Sequence, residues 1–462
     1  MPSPLTVSSS RLRLFRLPEG ALNSAVIFGM SLRVWQLAAG VLSALLLSRF
    51  LSPKEQGFYY TFASLVALQT FVELGLHSVV LNVSSHEWAK LRLDLAGRIE
   101  GDREALSRLA SLVRQTAFWY GGVALLFLLA VGSAGFWFLS QQSQPDVHWQ
   151  LPWLALVFVT SGLLFALPFL AVLEGCGQIA IVYRFRLVQA VVSVLASWGT
   201  LLLGFGLWSS PLLNLTGLLV IIYLVVVQYR GFFLTLARTA IGATVVWRRE
   251  IWPLQWRIGL SGLVAYFFFS LFVPVLFTYQ GPVVAGQMGM TLSIATAVQT
   301  LGLIWVQTRA PAFGVLAARR DFSALDRLWL RVTAVGAGVA VLAGLGGVAL
   351  VIVLNLVQLP IAGRLLDPLP TAILVLASVA NVVPLSMSLY LRAHKREPLL
   401  AVSLVSSLLN GLLVWLGGMT FGAMGVVVAY AGVILFVIAP WMLVIWLHSR
   451  REWHREPTSL AV

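Results

Sequence analysis

Twelve long apolar runs alternate with polar breaks along this chain, at about 21–48, 57–83, 115–140, 151–174, 184–205, 211–229, 257–279, 283–308, 331–356, 369–391, 398–417 and 422–447. Each holds roughly 19 to 28 residues, and about 20 suffice to cross a hydrocarbon core of about 30 Å as a helix. Strands are excluded, because backbone in lipid has to be paired within a helix or a closed barrel, and barrel strands alternate in polarity as these runs do not. The pattern predicts an all-α polytopic membrane protein with about twelve transmembrane helices.

The polar breaks add orientation. With the N-terminal tail taken as side one, the segments facing that side hold 27 of the 31 Lys and Arg residues; the other side holds Arg49, Lys54 and Arg364, and Arg33 lies inside the first run. Basic residues near span ends stay cytoplasmic, so both termini are expected in the cytoplasm. The net charge of +14 is mostly this asymmetry, with some attraction to anionic lipid headgroups, and is no sign of nucleic acid. Composition agrees: 59% apolar and 10% charged residues, against roughly 45–50% and 25% in soluble domains. A single cysteine, Cys176, excludes an intrachain disulfide or thiol cluster and reads as a small apolar residue.

A midpoint division follows from the breaks. Residues 1–20 form a cytoplasmic tail, 21–229 an N-lobe of six spans, 230–256 a cytoplasmic amphipathic linker, 257–447 a C-lobe of six spans, and 448–462 a second tail. The linker mixes Arg238, Arg248 and Arg249 with Trp247, Trp252 and Trp256, a composition suited to a helix on the leaflet surface. In 84–114, Leu91, Leu95, Ile99 and then Leu106, Leu109, Val113 recur at helical spacing, which predicts an amphipathic helical extension. Two P-x-x-x-G turns, Pro53 to Gly57 and Pro282 to Gly286, stand 229 residues apart at equivalent topological positions, as two parallel six-span halves would place them.

Candidate chemistry is confined to the spans. The outer loops are short, with Asp146 and Asp367 each alone in its loop, and neither metal-ligand, phosphate-loop nor nucleophile-elbow patterns occur. No cofactor is expected, and the chain reads as a secondary transporter rather than an enzyme. A charge at mid-membrane costs about 2.5–3.5 kcal/mol on insertion scales, so those that survive need a reason. Arg33 shares a face of span 1 with Gln36; in span 2, Gln69, Glu73 and His77 recur at i, i+4, i+8 on one face. Arg33 and Glu73 fall at similar depth. Either they pair structurally, or the cluster faces a hydrated cavity in which the guanidinium meets an anionic substrate. Glu73 is the candidate coupling carboxylate. Arg309 closes span 8, Asn381, Pro384, Ser388 and Arg392 give span 10 a polar stripe with a kink at Pro384, and Glu174, Arg184 and Arg186 flank the turn between spans 4 and 5. Tyr59 and Tyr60 read as belt aromatics.

Leu47 to Tyr60, Phe71 to Leu76 and Leu173 to Gln178 resemble the first outer turn and the ends of spans 2 and 4 in bacterial polysaccharide flippases of the multidrug/oligosaccharidyl-lipid/polysaccharide exporter (MOP) superfamily. The resemblance is strongest over 30–190. It implies two six-helix lobes around a central cavity, alternating access, the bacterial inner membrane, and an undecaprenyl-diphosphate-linked oligosaccharide of O-antigen, capsule or exopolysaccharide type as cargo. In the related lipid II flippases arginines of spans 1, 2 and 8 line the cavity; Arg33 and Arg309 are similar in kind and helix, whereas span 2 offers Glu73 and His77. Together with the polar faces read above, this makes Arg33, Gln36, Gln69, Glu73, His77 and Arg309 the expected cavity residues, and membrane lipids and a polysaccharide polymerase or glycosyltransferases the expected partners. A cation-coupled drug or metabolite exporter of the same fold, and a membrane subunit scaffolding a polysaccharide synthase, are the competing functions.

Overall fold

The computed structural model describes residues 19–69, 76–94, 97–142, 144–252, 270–394 and 398–454. The chain is helical, as the apolar runs require, and its helices form two lobes. The first holds α1 (Glu19–Phe50), α2 (Pro53–Val66), α3 (Leu76–Trp88), α4 (Arg103–Ser140), α5 (Gln150–Gly175), α6 (Ile179–Leu202), α7 (Ser209–Ile222) and α8 (Arg230–Arg238). The second holds α9 (Phe272–Gln280), α10 (Pro282–Ala318), α11 (Phe322–Leu356), α12 (Pro368–Ala380), α13 (Val382–Ala393), α14 (Leu400–Gly432) and α15 (Ala439–Trp453). Nine helical runs among the described residues are long and apolar enough to cross a membrane. The last of them, Leu400–Trp453, bends at Gly422, whose φ of 61° is non-helical. There Gly417 and Gly425 meet backbone to backbone with no room for a Cβ on either, so this run supplies two passes.

Local signals place the helix starts. Ser52 caps α2 by accepting from Glu55 N (3.2 Å) while Glu55 Oε2 accepts from Ser52 N (2.8 Å), with Pro53 in the first turn; such a reciprocal cap contributes about 1 kcal/mol. Asp102 caps α4 through Ala105 N (2.8 Å) and Asp321 caps α11 through Ala324 N (3.0 Å). Span 10 breaks at Asn381 between α12 and α13. Pro384 has no N–H to offer the carbonyl four residues earlier, so the break falls just N-terminal to the proline.

Three sequence expectations change. The stretch 84–114 is not one helix: Leu91–Leu93 pairs antiparallel with Ile99–Gly101 before α4 begins. Asp94 Oδ1 accepts from Arg98 N (2.6 Å), and Gly97 takes a φ of 72°, so a turn wins over the helical spacing; Leu91 and Ile99 are buried from a hairpin instead. The linker is helical over Arg230–Arg238, after which 239–246 runs without helix against α4. Ser107 Oγ accepts from Gly242 N and Ala243 N (2.8 and 3.0 Å), Ser111 Oγ from Val245 N (2.9 Å), and Trp247 packs on Trp119. Span 8 continues past residue 308 to Ala318, so Arg309 lies within α10 rather than at its end. Asp146, the lone acid of its outer loop, accepts from Lys54 Nζ of the first outer turn at 2.7 Å.

Candidate functional site

The two lobes meet at the end that carries both P-x-x-x-G turns. Gly57 sits against the Pro282 carbonyl and Gly286 against the backbone of Gln56 and Gly57, so close that a Cβ on either would collide. Gln56, buried to 1% exposure, donates from Nε2 to the carbonyls of Gly286 and Arg364, both at 3.0 Å. One turn further on, the Tyr60 ring lies under Gly289, inside the crossing of α2 and α10 rather than in an aromatic belt. Around this crossing, Phe277 packs on Phe58 and Phe138 (ring centroids 5.1 and 5.6 Å), and Gln142 Nε2 donates to Thr278 O (3.0 Å). Burial lowers the pKa of Arg364 at the rim, with Glu55 opposing that shift. The repeat seen in the sequence is thus a contact: its two copies touch each other.

Deeper in the molecule the lobes are tied by Arg33. It is exposed on α1, and its Nη1 donates to Gln307 Oε1 of α10 at 3.1 Å. Gln36 lies one turn on, also exposed. Gln69 is half-buried just beyond a turn at Ala67–Leu68 that ends α2. Glu73 lies outside the described residues, and with it the proposed pair with Arg33 and the continuity of the Gln69–His77 face. His77 turns to Glu174 of α5, Nε2 to Oε2 3.8 Å, and Arg186 Nη2 pairs with the other oxygen of the same carboxylate. Arg309 is exposed and lies about 200° around α10 from Gln307 by helix geometry. Of the six candidates the structure brings Arg33 to the second lobe, sends His77 into a cluster within the first, and leaves Arg309 on another face.

Gln307 was missed by the sequence reading, although a glutamine inside an apolar run is the signal that could have found it. Gln56 was missed too, because its two partners are backbone carbonyls about 230 and 308 residues away. The motif Leu173 to Gln178 proves to be a built turn. Glu174 is the ion-pair hub, Gly175 admits the backbone of Leu81 and Ser85, and Gly177 takes a φ of 78°. Gln178 Oε1 accepts from Tyr229 OH (2.9 Å), and Cys176 is fully buried, which pushes its thiol pKa up and leaves it inert. Outside the spans, Arg108 pairs with Glu87 (2.8 Å) and Glu250 (2.6 Å); the Glu250 carboxyl is lowered first by the Val246 N–H and then by Arg108. No group of three or more potential metal ligands occurs among the described residues.

Compared with known protein families and with curated proteins, the sequence finds no match. Solved structures do match over nearly the whole chain. An inward-facing multidrug resistance MATE family transporter of the MOP superfamily aligns with a TM-score of 0.63 at 16% identity, covering 95% of this chain and 99% of that one. This chain shares the fold of that structure. A MATE multidrug transporter, DinF-BH, solved in complex with a ligand, gives a TM-score of 0.58 at 15% identity, covering 98% and 100%. The lipid II flippase MurJ in an inward closed conformation gives 0.58 at 12% identity, covering 93% and 90%. The structures that share this fold are two multidrug transporters and a lipid II flippase.

Proposed function

We propose that this chain is a secondary-transporter-type flippase that moves a polyprenyl-diphosphate-linked oligosaccharide from the cytoplasmic to the outer leaflet of a bacterial inner membrane by alternating access. One observation carries the reading: a guanidinium inside the first span reaches across to the second lobe, and among the described residues the partner it finds is a neutral amide. A guanidinium holding only an amide retains four further N–H donors, and phosphate oxygens take them bidentately in bonds roughly twice as strong as neutral ones. Cargo phosphate therefore competes with Gln307 for Arg33. Its arrival releases a tie between the lobes, which is the differential contact that a ligand needs in order to shift a conformational equilibrium. With the arginine-rich ends read as cytoplasmic from the charge pattern, contact of the lobes at the P-x-x-x-G end supports reading this as an inward-open state. Glu73, at similar depth by sequence, is the carboxylate through which proton movement would couple to the same exchange. A polysaccharide polymerase or glycosyltransferases are the protein partners that fit this cargo.

The test is flipping of a fluorescent polyprenyl-diphosphate saccharide in proteoliposomes of defined lipid. Arg33→Ala is expected to reduce flipping at least about tenfold, the loss that corresponds to one charge-assisted hydrogen bond, with the protein still folded and inserted; Arg33→Lys is expected to recover part of it. Flipping that survives Arg33→Ala at the wild-type rate removes the anionic cargo from the reading. Export of a cationic dye by the same preparation, unaffected by Arg33→Ala, would favour the drug-exporter function instead.

A further inference from the structure

On the first lobe, a groove of about 540 Å³ runs between α6 and α7, within the range of about 300–1,000 Å³ usual for ligand sites. Its walls are the side chains of Val188, Val192, Leu219 and Val220 with Thr216, whose hydroxyl donates to the carbonyls of Leu212 and Leu213 of its own helix, and its floor at one end is the stacked pair Phe185 and Tyr223, with ring centroids 6.3 Å apart. At that same end stand Arg184 and Gln228. The two helices are antiparallel neighbours, so the polar groups collect at the arginine-rich end of the lobe and the apolar walls extend from it into the span. From Arg184 to Val192 the groove covers about 12 Å along the helix, most of the roughly 15 Å of one leaflet's hydrocarbon.

Arg184 and Arg186 stand two residues apart and are used differently. Arg186 points inward to Glu174. Arg184, about 200° around the helix, is exposed and has no ion pair among the described residues. The helix after α7 is also irregular here. Tyr223–Gln228 forms a π-helical turn, a local widening that recurs at functional sites, and it carries the Tyr223 and Gln228 that line the groove. A single unneutralised guanidinium with an amide beside it, at the mouth of an apolar trough one leaflet deep, is complementary to one chemistry: an anionic headgroup joined to a hydrocarbon chain. Walls of valine and leucine, with a threonine hydroxyl already bonded within its helix, do not suit a hydrated saccharide.

We propose that this groove binds an acidic phospholipid of the cytoplasmic leaflet, its phosphate on Arg184 and Gln228 and one acyl chain between α6 and α7. Among the described residues, none of α1, the helix that carries Arg33, lines the groove, and the proposal does not depend on which cargo the protein carries. Native mass spectrometry tests it on the full chain, released from bilayers of mixed phosphatidylglycerol and phosphatidylcholine. Wild type is expected to retain one phosphatidylglycerol with a preference of about tenfold, as one charge-assisted contact supplies. Arg184→Ala is expected to bring that preference close to one, and Arg184→Lys to keep part of it. Val192→Trp, which fills the trough, is expected to lose both lipids; should it fail to fold, the two Arg184 variants decide alone. Equal retention of the two lipids by wild type overturns the proposal, and so does an unchanged preference in Arg184→Ala. Retention of an added polyprenyl phosphate in place of phosphatidylglycerol overturns it as well, since the groove would then belong to cargo.

Discussion

At the scale of the residue, a connected polar cluster lies at the arginine-rich end of the second lobe. Asp326 accepts from Arg450 Nε (2.9 Å) and from Tyr390 OH (2.6 Å); Tyr390 OH also meets His454 Nε2 (3.2 Å), and the His454 ring stacks on Phe322 at 4.0 Å. Replacing Asp326 by Asn removes the charge from two of these bonds. A loss of about 1 kcal/mol is expected in thermal unfolding of the purified protein, toward the low end for charge-assisted bonds because the site is partly exposed. His454 adds a pH dependence of definite sign. Burial lowers its pKa, Asp326 opposes that shift, and His394 and Arg450 reinforce it. The unfolded chain therefore takes up the proton first, near the ordinary histidine value of about 6.5. Stability from neutral His454 is full above that pH and declines as pH falls through the window below it. His454→Phe keeps the stack and should flatten the decline below about pH 6.5; an unchanged slope would place the titration elsewhere. None of these partners was legible in the sequence, because Tyr390 and Asp326 are 64 residues apart and Arg450 is 124 from Asp326. Arg33 was legible as a charge that has to be used. Its partner Gln307 was not, since an uncharged amide announces no partner.

At the scale of the element, glycine decides where helices approach. The crossing of α2 and α10 depends on Gly57, Gly286 and Gly289, each of which leaves no space for a Cβ. Close backbone approach through small residues is how membrane helices gain packing where lipid offers no hydrophobic drive. Gly57→Val should force the crossing apart. A cysteine at Met290, which is buried at 3% beside Gln56, then reports the change in a Cys176→Ala background: it should be inert to a maleimide in the parent and reactive once Gly57 is Val. Equal reactivity in both would mean that the seal does not rest on this glycine. A second tight place lies within the first lobe, where Trp153 fills the space beside Gly135 and donates from Nε1 to Gly132 O (3.2 Å). Gly135→Ala is expected to destabilise by about 1–3 kcal/mol through overpacking, read as a lower thermal midpoint. Helix existence and the break near Pro384 were readable, because lipid forces helix wherever the chain is apolar and proline removes a donor. The hairpin at 91–101 was not, because its leucines and isoleucine also fit a helical period, and only the turn chemistry of Asp94 and Gly97 separates the two.

At the scale of the whole molecule, the charge pattern and the contact between lobes give independent accounts of the same two ends. The residues that join the lobes, Gln56 with Gly286 and Arg364, and Gln142 with Thr278, fall at the end that carries 3 of the 31 basic residues. The opposite end carries the linker, the hairpin and the Asp326 cluster, with nearly all the remaining charge. Sequence could assign these ends because moving arginine across a bilayer is costly and cannot be compensated locally. It could not assign which end is closed, because closure depends on two glycine turns meeting, and a repeat does not say that its copies touch. Orientation is open to a direct test with single cysteines on the Cys176→Ala background. His148 and Gly363 are exposed at the sealed end, and Glu100 and Arg451 at the basic end. In intact cells an impermeant maleimide should label cysteines at 148 and 363 and spare those at 100 and 451, and permeabilisation should expose the latter pair. Labelling of 100 and 451 in intact cells would place the arginine-rich face outside. The direction of transport proposed above would then lose its basis in the charge pattern.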